Sequence, residues 1–164
     1  MKQIIVALLF ILMLAGCQND RANKTTTRQE EIELEKKARQ DFQFADDQIK
    51  KNNPAGILKL YEIATESISA EDSEIASEEL RGYLYSKPNL WVRAISKVDI
   101  TKFKKDFTID FDTYRFTPEG EIPITVAAKK IVSELKKMKG KNQQEQVLID
   151  YLISYYSEHL QADK

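Results

Sequence analysis

Hydrophobic residues recur along most of the chain with the spacing of amphipathic helices. The first such stripe lies between Arg28 and Asn52 and consists of Leu34, Ala38, Phe42, Ala45 and Ile49. Intervals of three and four residues place these side chains on one face of a helix. The first half of this segment is crowded with charged residues, so we expect it to fray or to extend from the body of the domain.

Five further helices follow, and most of their starts carry capping signals. Asn53-Pro54 puts a capping side chain before a proline at the first helical position. Ser69 to Asp72 resembles a capping box, Lys87-Pro88 opens the next helix, and Asn142 to Glu145 is a second capping-box candidate. Between the helix that starts at Lys87-Pro88 and the one that starts at Asn142, a further helix over 124–139 is predicted to end at Gly140.

The apolar stripes of these helices predict the core. The predicted inward residues are Ile57, Leu60, Tyr61, Ala64, Ile68, Ala76, Leu80, Tyr83, Leu84, Trp91, Ala94, Ile95, Val98, Ala128, Ile131, Leu135, Met138, Leu148, Tyr151, Leu152 and Tyr155. Tyr85 and Tyr156 fall off the stripes, which suits residues of a contact patch.

Residues 99–123 have a mixed pattern. Ile100 and Phe103 continue a helical spacing, whereas the residues from Phe107 to Phe111 alternate between apolar and polar, as in a strand. Thr117 to Gly120 is a turn sequence. Short connections elsewhere favour antiparallel neighbours. The predicted fold is therefore mostly α: a compact antiparallel helical bundle or short helical-hairpin array, with a short β-hairpin or extended loop near 107–123.

The amino terminus has a different pattern. A short positive start with Lys2 precedes 12 consecutive apolar residues, from Ile4 to Ala15, and then Gly16 and Cys17. A membrane-spanning helix needs about 20 apolar residues, so this run is too short to be one. Its layout is that of an export signal.

Leu14-Ala15-Gly16-Cys17 resembles the lipobox of bacterial lipoproteins residue for residue. The resemblance implies that a signal peptidase recognises Leu14, Ala15 and Gly16 and cuts before Cys17. It also implies a diacylglyceryl group on the Cys17 thiol and acylation, for example by palmitate, of the new amino group. Gln18, rather than aspartate, after the cysteine implies the outer membrane, facing the periplasm. In a Gram-positive host the corresponding place is the outer face of the cytoplasmic membrane.

These features divide the chain into three parts: a signal peptide over 1–16, the lipidated cysteine with a flexible polar tether over 17–27, and a single helical domain over 28–164. Removal of residues 1–16 leaves 148 residues with a formal charge of −2. That near-balance argues against nucleic-acid binding, which calls for a clearly basic domain. The predicted partners are the membrane and an unidentified envelope protein.

Catalytic signals are weak. His159 is the sole histidine and Cys17 the sole cysteine, so no zinc site of these residues is expected. Asp110 and Asp112 form the best carboxylate pair for acid–base work or calcium, but a solvated strand edge explains them as well. Nucleophile-elbow and phosphate-loop motifs do not occur. We therefore expect no metal, no cofactor and no enzymatic activity, with a hydrolase using these two aspartates as one alternative.

Charge is unevenly distributed along the helices. Seven acids and no lysine or arginine occur between Glu62 and Glu79, whereas Lys129 to Lys141 holds six lysines against Glu134 alone. The candidate partner face consists of Glu62, Glu66, Glu71, Asp72, Glu74, Glu78 and Glu79. Such blocks are often solvated helix faces. Otherwise the acids would steer a basic partner, and the lysines would contact acidic helices of the same domain or anionic lipid headgroups.

The leading hypothesis is a non-enzymatic protein-binding module of the envelope, in one form an immunity-type inhibitor of a cationic toxin. The alternative is a structural or assembly lipoprotein that scaffolds envelope machinery or contacts peptidoglycan.

Overall fold

The computed structural model describes residues 28–67, 69–106, 114–117 and 120–162. Contacts divide the chain into two units, residues 1–40 and 41–164. In the first unit, residues 28–40 are helical, and all side chains from 28 to 37 are exposed. Ile32 and Leu34 are the large apolar side chains exposed there. This half of the first stripe is therefore not buried.

The second unit is an assembly of helices with one short hairpin. Helix α1 covers residues 28–50 and enters this unit with its last ten residues. It is followed by α2 (Pro54–Glu66), α3 (Ala70–Ser86), α4 (Pro88–Ile95), α5 (Ile100–Asp106), β1 (Tyr114–Thr117), β2 (Gly120–Ile122), α6 (Ile124–Lys137) and α7 (Gln143–Ala162). The predicted mostly α fold is confirmed.

The helix starts follow the capping signals. The Asn53 side chain accepts a hydrogen bond from Ala55 N at 3.1 Å, just before the proline that opens α2. At the start of α3, Ser69 Oγ accepts one from Asp72 N at 3.2 Å. At the start of α7, Asn142 Oδ1 accepts one from Glu145 N at 2.9 Å. Each cap satisfies a backbone N–H that has no partner within its helix.

The helices of this unit pack on one another in several pairs. Helix α2 packs on α3 and α4, α6 packs on α7, and α3 and α4 contact α6. Strand β1 lies against α3 and pairs antiparallel with β2 in the register Tyr114 to Ile122 and Thr117 to Gly120. The hairpin is one of the two arrangements predicted for 107–123. The alternating residues Phe107 to Phe111 lie outside the described residues.

The core is aromatic at its centre. Trp91 is fully buried and meets Phe103 edge to face, with ring centroids 5.7 Å apart. Tyr61 and Tyr151 each lie 6.3 Å from the same Phe103 ring. Edge-to-face pairs of this kind add to the free energy of burial. Phe103 therefore joins α2, α4, α5 and α7 at one point.

Two sequence predictions are wrong. Tyr156 is fully buried rather than part of a contact patch, because the stripe of α7 continues at intervals of four from Leu148 through Leu152. Helix α6 ends at Lys137, and Met138 is its extended cap, so Gly140 does not terminate it. A Cβ on Gly140 would lie 2.5 Å from Gln146 N. Glycine is therefore needed there for a close approach to α7.

Candidate functional surfaces

The lipobox residues Leu14, Ala15, Gly16 and Cys17 lie outside the described residues. The described residues show instead which surfaces the domain presents to its surroundings. Three features are candidates for a functional surface: the acidic residues of α2 and α3, the lysines of α6 and its connection to α7, and one cleft.

The two acidic residues on α2 are exposed but paired. Glu62 contacts Lys59 Nζ at 3.0 Å, and Glu66 contacts Lys102 Nζ at 3.3 Å. Lys59 also lies 3.6 Å from Asp41. The hydrogen bond to Glu62 raises the pKa of the Lys59 amine. These two members of the predicted partner face are thus partly neutralised within the domain.

The five acidic residues on α3 are different. Glu71, Glu74 and Glu78 follow one another at intervals of three and four, and Asp72 and Glu79 lie on the adjacent flank. Ile75, which is 41% exposed, is three or four residues from four of them. Residues at these intervals are neighbours on a helix surface. In the part of the chain that the structure describes, none of the five has an ion pair. We call Ile75 and these five acids the acidic surface.

Negative charge is concentrated at one edge of this surface. Partial burial raises the pKa of the Glu79 carboxyl, and the nearby Asp46 carboxylate raises it further. Burial also raises the pKa of Tyr83, with contributions from Glu79 and Asp46. The Lys50 amine is bound to Asp46. A cation delivered by a partner would therefore relieve repulsion at this edge.

Six exposed lysines form a second surface, here called the lysine surface: Lys129, Lys130, Lys136, Lys137, Lys139 and Lys141. The first four lie on the outer side of α6, opposite the buried Ala128, Ile131 and Leu135. Lys137 Nζ contacts Glu134 at 2.7 Å, and Lys130 Nζ lies 3.5 Å from the centre of the Tyr85 ring. Thus α6 does touch the acidic helix α3, but through an aromatic ring rather than a carboxylate. Tyr85 itself is half-buried.

A cleft of about 500 Å³ lies between the α4–α5 connection and the start of α7. Among its described lining residues, Lys97 and Asp99 are the charged ones. Asp99 Oδ1 is occupied as the cap of α5, where it accepts hydrogen bonds from Thr101 N and Lys102 N at 2.9 Å. The cleft has the size of a ligand pocket but offers no paired catalytic groups among the residues described.

The remaining catalytic candidates are not brought together in the described residues. Asp110 and Asp112 lie outside them, and His159 lies in α7 with a side chain that is not described. The described residues bring together no group of three or more histidine, cysteine, aspartate or glutamate side chains that could hold a metal ion. The hydrolase alternative therefore has no described geometry to support it.

One feature was missed in the sequence. Ile75 is an apolar residue out of phase with Ala76, Leu80 and Leu84, the buried stripe of α3. Two features of the sequence indicate that Ile75 lies on the exposed face of α3: its phase differs from that of the buried stripe, and acidic residues lie three and four positions away.

Comparison with known proteins identifies the amino terminus. Residues 1–18 match the family model described as the prokaryotic membrane lipoprotein lipid attachment site. Comparisons with curated proteins and with solved structures found no match to the chain. Within the described ranges, none of the helices is long and apolar enough to cross a bilayer. The chain therefore carries the lipid attachment site of a bacterial lipoprotein, which supports anchoring to a membrane through lipid on Cys17, its sole cysteine.

Proposed function

We propose that this lipoprotein is a non-enzymatic binding module of the cell envelope, which docks a basic protein partner on its acidic surface. The observation that carries the proposal is the position of Ile75. It is exposed, apolar and adjacent to Glu71, Asp72, Glu78 and Glu79 on α3. An apolar anchor within a charged rim is the usual composition of a protein interface.

Each part of the acidic surface has a distinct role in this proposal. The five carboxylates attract a cationic partner and raise its association rate, an effect that salt weakens. Ile75 enters an apolar pocket of the partner and slows dissociation. The α2 acids contribute less, because Glu62 and Glu66 already have lysine partners. An immunity-type protein that neutralises a cationic toxin is one concrete form of this function.

We further propose that the membrane that holds the lipid anchor is the outer membrane, with the domain in the periplasm. Gln18 after Cys17 supports this location, since aspartate at that position is the inner-membrane retention signal in the lipoproteins that the lipobox resembles. Fractionation of the envelope on a density gradient tests it. Recovery of the wild-type protein with the inner membrane of a double-membraned host would contradict the proposed location.

Photo-crosslinking in the envelope tests the docking proposal. Benzoylphenylalanine replaces Ile75 in the full lipidated chain, and in the control it replaces Phe44, which is 44% exposed on α1. The replacement at Ile75 should capture one basic protein, and the control should not. Reversing Glu71, Glu74, Glu78 and Glu79 to lysine should abolish the capture. Equal capture at both positions, or capture that survives charge reversal, would refute the proposal.

The structural alternative has a separate test. A lipoprotein that contacts peptidoglycan should co-sediment with purified cell wall, whether or not the acidic surface is reversed. Co-sedimentation with cell wall, combined with no specific crosslink at Ile75, would favour that alternative.

A further inference from the structure

The lysine surface is a second, oppositely charged face of the domain. Val126, Lys129, Lys130, Ser133, Lys136 and Lys137 recur at intervals of three and four on the outer side of α6, and all are exposed. Lys139 and Lys141 extend the same charge into the connection to α7. The inner side of the helix is buried, so α6 is fixed in the fold with its lysines outward.

Most of this charge has no ion-pair partner among the residues that the structure describes. In the described residues, the one ion pair on this surface is Lys137 with Glu134. Lys130 is held over the Tyr85 ring. The other four, Lys129, Lys136, Lys139 and Lys141, have no ion pair with a described residue. A surface of this kind attracts an extended anionic partner.

The position of the anchor limits where this domain can be. Ten residues separate Cys17 from the start of α1, and they span at most about 35 Å even when fully extended. The helical residues 28–40 add about 20 Å at most. The first residue of the second unit therefore always lies within about 55 Å of the bilayer that holds Cys17. This confinement gives a local concentration in the millimolar range, so weak contacts with the bilayer are sufficient.

We propose that the lysine surface docks on anionic lipid headgroups of the bilayer that holds Cys17. Each lysine near an anionic surface raises the ratio of docked to undocked protein by about fivefold. Val126, which is 52% exposed, supplies an apolar contact at one end of the lysines. Because Val126 is the one exposed apolar residue on this helix face among the described side chains, the domain rests on the headgroups and does not insert.

Docking in this way also orients the domain. Lys130 meets α3 at Tyr85, six residues from Glu79, the nearest member of the acidic surface, which is about 9 Å along the helix axis. Ile75 is four residues further along the helix. The nearest acid is thus about one screening length of 8 Å from this contact at physiological salt, and the others lie further away, so the acids cancel little of the attraction between the lysines and the bilayer. A domain docked by its lysines leaves the acidic surface accessible to solution.

The test uses the full lipidated chain in vesicles. Cys17 carries lipid and is the sole cysteine, so an introduced cysteine is the one free thiol and can be labelled with a fluorophore. Ser133→Cys reports from the lysine surface, and Glu74→Cys reports from the acidic surface. Quenching by aqueous acrylamide is compared in vesicles of phosphatidylcholine alone and in vesicles with one-third phosphatidylglycerol.

The label at position 133 should be protected from acrylamide quenching in the anionic vesicles and not in the neutral ones. The label at position 74 should be quenched equally in both. Raising the salt to about 1 M, where the screening length is about 3 Å, should remove the protection. Replacing Lys129, Lys136, Lys139 and Lys141 by glutamine should lower the docked-to-undocked ratio at least tenfold. These four substitutions leave the Lys130 and Lys137 contacts in place, and circular dichroism checks that the fold is kept.

Three results would overturn the proposal. They are equal quenching at position 133 in both kinds of vesicle, protection that survives the four glutamine substitutions, and protection by soluble polyglutamate without protection by anionic vesicles. The last would assign the lysine surface to an acidic protein instead.

Discussion

Gly140 is the position at which a single methyl group should most clearly test the structure. A Cβ at this residue would lie 2.5 Å from Gln146 N and 2.8 Å from Gln146 Cα. Both are backbone atoms of the first turn of α7, so neither can swing aside as a flexible side chain would. Gln146 N donates to Asn142 O at 3.1 Å, and Gly140 N donates to Gln146 Oε1 at 3.0 Å. Gly140→Ala therefore separates the α6–α7 connection from α7 and weakens both hydrogen bonds.

The magnitude follows from two opposing effects. Forcing a methyl group into a filled site costs about 1–3 kcal/mol of the free energy of unfolding. The loss of backbone freedom in the unfolded chain returns about 0.4–1 kcal/mol. We expect a net destabilisation of about 1–2 kcal/mol, which lowers the Tm of a domain of this size by about 3–6 °C.

Urea unfolding of the mature protein, followed by circular dichroism, measures this change. Lys139→Ala is the matched control, because its side chain is exposed and its loss should alter stability by about 0.5 kcal/mol at most. A Gly140→Ala protein as stable as the wild type, or more stable, would refute the close approach between the connection and α7.

Three further predictions concern the anchor, the acidic surface and the core. Cys17→Ser should abolish incorporation of labelled palmitate and leave residues 1–16 uncleaved, as read by mass spectrometry; a variant still lipidated would contradict the assignment of the anchor. Glu79→Gln should stabilise the fold at neutral pH, because it removes a charge that partial burial and the Asp46 carboxylate disfavour. The gain should be only a few tenths of a kcal/mol, because much of the side chain remains exposed and solvent screens the charge. Because the folded-state pKa of Glu79 is raised, wild-type stability should fall as the pH rises through the window above 4.5, and the variant should lose that part of the dependence. Urea midpoints measured below and above this window check the sign, and a Gln variant that is less stable at neutral pH would contradict it. Phe103→Ala should cost about 3–5 kcal/mol and weaken the near-UV signal of Trp91, because it empties the site where four helices meet.

Local signals were sufficient to predict most helix starts. The capping side chains accept hydrogen bonds from residues only two or three positions away, as Asn53, Ser69 and Asn142 do. Their role can therefore be predicted from a short stretch of sequence. The buried stripes of α3 and α4 follow from spacing for the same reason. The role of Gly140 is ambiguous in the sequence, because glycine serves both as a helix terminator and at points of close approach. Its true role depends on Gln146, which the fold brings to it.

The candidate surfaces were predicted less completely. Counting charges along the chain identified the acidic block but could not show that Glu66 pairs with Lys102, 36 residues away. That pairing separates the α2 acids from those of α3. A stripe through Tyr151 and Tyr155 leaves Tyr156 outside the core, although an interval of four from Leu152 also reaches Tyr156, which is fully buried. Spacing alone does not decide between neighbouring stripes on a 20-residue helix.

We propose that the acidic surface attracts a basic partner to the membrane-tethered domain. The association rate constant between the lipoprotein and the protein captured at Ile75, measured over a range of salt concentrations, tests this attraction. For the wild type, the rate should fall steeply as salt increases. Reversal of Glu71, Glu74, Glu78 and Glu79 to lysine should slow association at low salt by about tenfold or more and flatten the salt dependence. Reversal of the exposed control residues Glu30, Glu31, Glu33 and Glu35 should leave the rate nearly unchanged. A rate that is independent of salt, or that falls equally in both variants, would contradict the claim.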